Sequence, residues 1–327
     1  MHLYSIGRKV YQKARKVSGF PEIASWKAKY NQWFWRERLV NKNIFQGKRG
    51  GEIPFIIRRY AQDMGIGSYI ISNISQIEYA RRQGYRPVID MKNYNGTIVD
   101  GHVENTWTLF FEQQEDELAN AYKSKTYWLS DGENRGRFPN DSMQFLNDRS
   151  ELTYWSNIYR RYCCFNKTVR DYSNWEYKQL FEGKGKILGV LCRGTDYVKL
   201  RPKGHPVQPD IFEVIEKAKK VMEEYKCDFI YLATEDYSVE SMFKKEFTNQ
   251  LIVNKRVYKK YIDGYLANTL NERENDKYNT NLEYLSSLSL LSKCNCFIAS
   301  RTSGTVITML MNNVYDYTFF WDLGVYC

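Results

Sequence analysis

From residue 187 onward, apolar runs and polar breaks alternate regularly. Ile187–Cys192 (ILGVLC) is an unbroken apolar run, which predicts a strand buried on both faces. A polar break, Arg193 to Asp196, follows. A helix is expected from near Pro209, a residue suited to a first turn, with Ile211, Val214, Ile215, Ala218, Val221 and Met222 on one face. Asp228–Ala233 predicts the next strand, and Thr234–Asp236 the next break, leading to a short helix. Strand Leu251–Val253, an irregular stretch, helix Leu282–Leu291, strand Cys296–Ser300, the break Arg301–Thr305 and strand Tyr315–Phe320 complete the pattern. Strands alternating with helices predict a parallel, doubly wound α/β sheet. Ligands of such sheets bind beyond the carboxyl ends of the strands, where all three polar breaks fall.

An earlier segment has the same grammar on a smaller scale. Ile53–Ile57 predicts a strand, Gly65-Ile66-Gly67 a tight loop, Ser68–Arg82 a helix with Ile70, Ile71, Ile74 and Ile77 on one face, and Pro87–Met91 a second strand. This is a βαβ unit. Its two glycines allow either close approach to a ligand or tight helix packing, and the longer G-x-G-x-x-G of dinucleotide sites is absent. Residues 92–175 offer aromatics, turns and polar clusters, which predict insertions and connecting helices without assignable chemistry. The expected division is a basic segment over 1–50, an acceptor-side Rossmann-like domain over 51–178 and a nucleotide-sugar domain over 179–327. A chain of 327 residues accommodates this.

Charge narrows the choice of partners. The net charge is +10. Residues 1–50 hold twelve Lys/Arg against two Glu, and the remaining 277 residues hold 36 charges of each sign. A neutral body argues against a nucleic-acid partner, which usually requires a basic main surface. In the basic segment Leu3, Ile6, Val10, Ala14 and Val17 recur at helical spacing, and Trp26, Trp33 and Trp35 follow. Basic faces beside Trp suit anionic headgroups. We therefore expect residues 1–45 to attach a cytoplasmic protein to the inner face of a membrane; the alternative is a solvated helix on the protein's own surface. No apolar run is long enough to span a bilayer. Seven cysteines, with Cys163-Cys164 and Cys294-Asn295-Cys296 lacking zinc-site partners, read as reduced thiols.

The three breaks, in order, carry a resemblance. The C-terminal half resembles the GDP-fucose-using fucosyltransferase superfamily, which includes α1,2-, α1,6-, nodulation and protein O-fucosyltransferases. The family's H-x-R-R-x-D is similar to "LCRGTD", which keeps Arg193 and Asp196 and puts Leu191 and Gly194 in place of the His and second Arg. Its A-T-D-D resembles "ATED" at Ala233 to Asp236, and its Ser-rich last turn resembles "RTSGT" at Arg301 to Thr305. "GIGSYIISNISQIEYARRQGYRPVID" is similar to its G-x-G-N loop and helix, with Ser68 replacing Asn. The likeness covers roughly residues 53–320. It implies a GT-B fold, two Rossmann-like domains facing across a cleft. It also implies a GDP-sugar donor, GDP-fucose above all, a glycan or lipid-linked acceptor, and inverting transfer without a metal or other cofactor. No Asp-x-Asp, the metal-holding pair of other sugar transferases, occurs in the chain.

On this resemblance Arg193 meets the charge growing on the leaving diphosphate. Thr302, Ser303, Gly304 and Thr305 offer amides and hydroxyls at a helix N-terminus, with plain capping as the other reading. Asp196 is either the general base or the residue that orients Arg193, and orientation is favoured. The Glu base that α1,6 enzymes place shortly after this motif is missing from "YVKLRPKGH", where Lys199, Arg201 and Lys203 make the loop cationic and His205 offers an imidazole. Thr234, Glu235 and Asp236 are placed near the nucleoside, with helix capping as the alternative for Asp236. The guanine-reading Asp of the family matches Ser287, one turn beyond Glu283, which is the substitute candidate. The remaining readings are the same fold with another nucleotide-sugar, or a non-catalytic nucleotide- or glycan-binding protein.

Overall fold

A computed structural model describes residues 53–58, 64–92, 94, 96–100, 103–114, 116–130, 138, 144–260, 264 and 273–327. The basic, Trp-rich segment and its expected membrane helix lie outside the described residues. Among those residues no helix is long and apolar enough to cross a membrane.

Two wholly parallel sheets form the frame. The smaller has the order β2-β1-β3, with β1 Pro54–Arg58 between β2 Arg86–Asp90 and β3 Trp128–Leu129. Helix α1, Ile66–Arg82, joins β1 to β2, as the βαβ reading expects. Its run of isoleucines is buried, and the chain leaves it through Gly84 at φ 76°, a left-handed position that glycine fills without strain. Helix α2, Glu117–Lys123, covers one face of this sheet and packs Ala121 on Ile56 and Val88.

The larger sheet has the order β6-β5-β4-β7-β8, made from β4 Ile187–Leu191, β5 Phe229–Ala233, β6 Leu251–Ile252, β7 Cys296–Ser300 and β8 Tyr317–Trp321. The chain runs outward from β4 through β5 to β6, then returns to β7 on the other side. The order therefore reverses between β4 and β7, and the crevice at such a switch point is where doubly wound sheets take ligands. Alternate residues face opposite layers. Leu188, Val190, Ile230, Leu232, Cys296 and Ile298 pack under helices α6 Ile211–Tyr225 and α7 Tyr237–Phe247. Ile187, Leu191, Tyr231, Ala233, Phe297 and Ala299 point the other way, into a core that also holds Phe55, Ile57 and Ile89 of the small sheet. The two sheets thus share one apolar interior, filled by α1, α3 Arg149–Tyr162, α4 Lys167–Leu180, α8 Asp276–Leu291 and α9 Ser303–Met311. Gly189 in β4 lets the end of α8 come close, since a Cβ there would lie 3.0 Å from Leu291 Cδ2.

Local expectations are met in one place and shift in three. The connecting helices expected over 92–175 include α3 and α4, capped by Asp148 and Asn166, and α4 runs on to Leu180. The helix expected near Pro209 begins at Ile211, because Asp210 accepts from the amide of Phe212 and takes the cap position. Thr195–Leu200, expected as loop, closes into a short helix, α5, that ends where Arg201 turns left-handed. The expected boundary at residue 178 falls in the last turn of α4.

Candidate functional site

Arg193 leaves the carboxyl end of β4 beside the switch point. Its guanidinium lies 3.2 Å from Asp196 and 3.1 Å from Glu235, and stacks 4.4 Å over the Tyr197 ring. Burial works against its charge, but Glu235 and then Asp196 more than offset this and hold the pKa above the ordinary arginine range. The Nε atom is buried with no hydrogen-bond partner among the described residues. A quarter of the side chain remains exposed, while the carboxylate of Asp196 is fully buried. Asp196 therefore lies behind the guanidinium, in the geometry of an orienting group, and accepts from the Tyr197 amide as well.

The tetrad Thr302–Thr305 opens α9 at the carboxyl end of β7. Thr302 accepts from the amide of Thr305 at 3.1 Å, and the Thr305 hydroxyl donates to the carbonyl of Ser300 at 2.5 Å. Thr302 thus caps α9, as the alternative reading of the turn has it, and the Thr305 hydroxyl ties the turn back to β7. The amides of Ser303 and Gly304 remain at the helix start without an intrahelical acceptor, where the helix dipole favours an anion. Gly304 packs against the end of β4, its ideal Cβ position being 3.1 Å from Leu191 Cδ2, so the β4 and β7 ends are adjacent here.

His205 also comes to this neighbourhood. Its Nδ1 lies 3.4 Å from the Tyr197 hydroxyl, on the ring that Arg193 stacks against. A two-stranded ribbon fixes its loop: Gly204 donates to the carbonyl of Tyr326, Tyr326 donates to that of His205, and Val207 donates to that of Gly324. Lys199, Arg201 and Lys203 are exposed around it.

The other candidates are placed differently. Asp236 caps α7 by accepting from Ser238 at 2.7 Å and from Val239, and Thr234 accepts from the amide of Asp236. It is Glu235, not Asp236, that turns to Arg193. Glu283 is held bidentately by Arg273, at 2.6 and 3.1 Å, which occupies the oxygens a guanine edge requires. Ser287 donates to the Glu283 carbonyl.

One contributor carries no motif. Tyr284, on α8, brings its hydroxyl to the start of α9, 2.5 Å from where a Cβ on Gly304 would be and 3.6 Å from the same point on Gly67. Gly67 lies at the start of α1, and its ideal Cβ would come 2.8 Å from Ser303 Cβ. The loop glycine thus serves tight packing, the second of the two uses expected of it. Desolvation pushes the Tyr284 phenol up to about 12, with Arg193 pulling the other way.

No family model matches the chain, and no curated protein matches it. Among solved structures the chain is similar to NodZ α1,6-fucosyltransferase soaked with GDP-fucose, at 17% identity over 80% of this chain and 93% of that one, with a TM-score of 0.48. It is similar to fucosyltransferase NodZ from Bradyrhizobium at 16% identity over 80% and 94%, with a TM-score of 0.47. It is also similar to POFUT1 in complex with GDP-fucose, at 7% identity over 84% and 98%, with a TM-score of 0.48. Likeness at that level assigns nothing by itself. The chain's own strand order and side chains define a parallel α/β protein with an arginine-centred charge cluster at the carboxyl end of β4.

Proposed function

We propose that this chain is a glycosyltransferase that moves a sugar, fucose in the favoured reading, from a GDP-sugar to a hydroxyl of a surface polysaccharide or lipid-linked oligosaccharide. The observation that carries it is the position of Arg193 at the carboxyl end of β4, with the neighbouring strand β7 ending at the turn that opens α9 with Ser303 and Gly304. A diphosphate needs that set of donors: one cation able to bind two oxygens and a helix start with unengaged amides. In this reading residues 179–327 hold the donor and residues 51–178 face the acceptor.

The transfer is inverting. The acceptor hydroxyl attacks the anomeric carbon, the bond to the β-phosphate oxygen breaks, and the electron pair leaves with the diphosphate. Arg193 and the two amides stabilise that charge as it forms, without a metal. Asp196 orients Arg193. His205 takes the proton of the acceptor, because Asp196 is buried behind the guanidinium and Glu235 is paired with it. Residues 1–45 would keep the enzyme on the cytoplasmic face of a membrane, near lipid-linked acceptors. Loss of binding to anionic vesicles on removing them tests that part.

Calorimetric titration with GDP, UDP and ADP in EDTA tests the core of the proposal. GDP-selective binding that Arg193→Ala abolishes supports it, and absence of nucleotide binding overturns it. The pairing of Glu283 with Arg273 favours a second reading, the same fold with a different base. UDP or ADP selectivity in the same titration identifies that reading.

A further inference from the structure

We propose that Glu235 is a specificity-determining residue, holding the place of ligand oxygens on Arg193 and favouring a nucleotide-sugar over the free nucleoside diphosphate. This rests on the nucleotide-sugar reading above. The two terminal nitrogens of the Arg193 guanidinium each face a carboxylate: Nη2 lies 3.2 Å from Asp196 and Nη1 lies 3.1 Å from Glu235. The two acids are not held alike. Asp196 is fully buried, and its other oxygen accepts from the Tyr197 amide. Glu235 keeps 30% of its side chain exposed. Its backbone is pinned, since Lys259 donates to its carbonyl at 2.8 Å and Asp236 caps α7 next to it. The Glu235 side chain is therefore the one that yields to a ligand reaching the guanidinium from solvent.

Burial opposes the guanidinium's charge, and Glu235 offsets this more than Asp196 does. A ligand that displaces Glu235 has to take over that role, so it must be an anion. One guanidinium and two carboxylates give the cluster a formal charge of −1. The pinned backbone keeps the displaced carboxylate close to whatever replaces it. The terminal phosphate of a free nucleoside diphosphate carries up to two charges near neutral pH. In a nucleotide-sugar that phosphate is a diester and carries one. The extra charge meets Glu235, and like charges a few ångströms apart repel. The donor is therefore favoured over the product diphosphate, which the same carboxylate helps to expel after transfer.

The test is calorimetric binding of GDP and GDP-fucose to the full chain as wild type, Glu235→Gln, Glu235→Ala and Arg193→Ala, with melting temperatures to confirm folding. Glu235→Gln keeps the shape and removes the charge. It is expected to tighten GDP about fivefold, the scale of two unit charges about 4 Å apart in water-like surroundings. GDP-fucose should tighten less, so the preference for the donor over GDP narrows, and Glu235→Ala should give the same order. Unchanged or weakened GDP binding in both variants, while Arg193→Ala loses it, makes Glu235 a support for Arg193 and overturns this inference alone. Equal tightening of the two ligands removes the discrimination between them and also overturns it. No nucleotide binding by the wild type removes the nucleotide-sugar reading and this inference with it.

Discussion

Two arginines in this chain are built alike and placed differently. Arg193 and Arg256 each face a carboxylate, each have a buried Nε without a partner among the described residues, and each have a raised pKa. Arg256 lies past the end of β6. It donates to Glu176 at 3.4 Å and to the carbonyl of Glu283 at 3.0 Å. Around Glu176 the shell is complete, with Asn254 donating at 2.7 Å, Ser286 donating to the other oxygen, and Tyr231 donating to Asn254. The Arg256 side chain is 11% exposed and that of Arg193 is 25% exposed. Arg193 has a ring below it, two acids beside it and an open side at the switch point. A buried charge network with a full shell serves position, while one left open to solvent at a strand end can serve a ligand.

The sharpest way to break the comparison is to remove each arginine in turn. Arg193→Ala is expected to lower transfer activity of the folded protein at least ~100-fold, the scale of lost charge stabilisation in a transition state, and also to lower the melting temperature, since Asp196 is left fully buried without its cation. Near-wild-type activity in a steady-state assay would remove Arg193 from the mechanism. Arg256→Ala should lose stability without losing the ligand. It leaves Glu176 buried without its cation, a loss of about 3–5 kcal/mol, measured by denaturant unfolding, while GDP affinity persists in the folded fraction.

A smaller effect separates the glycines. Gly304→Ala places a methyl 2.5 Å from the Tyr284 hydroxyl, and overpacking of this kind costs about 1–3 kcal/mol. Gly65→Ala meets nothing within 4 Å and should stay within about 0.5 kcal/mol of wild type. Equal unfolding midpoints for the two would show that the α8–α9 junction yields freely.

The gentlest test uses alkali. Desolvation is the leading cause that raises Tyr172, Tyr258 and Tyr284 to about 12. An unfolded tyrosine titrates near 10. Between about pH 10 and 12 the unfolded chain releases protons that the folded chain keeps, so stability is full below that window and falls as pH rises through it. Their share of the phenolate absorbance, taken as the difference between wild type and the Tyr→Phe variant at each position, is expected to rise only together with unfolding, and rising before it would contradict the burial of these rings.

The larger sheet was legible because its strands are apolar runs separated by polar breaks, and that pattern follows from burial on both faces. The breaks marked the candidate site for the same reason: Arg193 and Ser303–Gly304 can be exposed only where a strand ends. What failed to show was set by tertiary partners. Which of two adjacent carboxylates turns inward was decided when Asp236 became a cap, leaving Glu235 for Arg193. Glu283 read as an available acceptor because Arg273 sits in an aperiodic stretch that predicts no contact. Tyr284 belongs to a helix whose apolar spacing is unremarkable, and only the fold shows that two glycines face it. The six residues of α5 are too few for a periodicity to register.

The shared interior has a consequence for the chain's history. Phe55, Ile57 and Ile89 of the small sheet and Leu191, Tyr231 and Phe297 of the large one line the same apolar mass. Neither sheet is then a transplantable cassette. A recombination joint anywhere between residues 90 and 187 would expose a raw apolar face on both products unless the helices between travelled with it. The strand ends are the places where a side chain can change without disturbing what both halves hold in common.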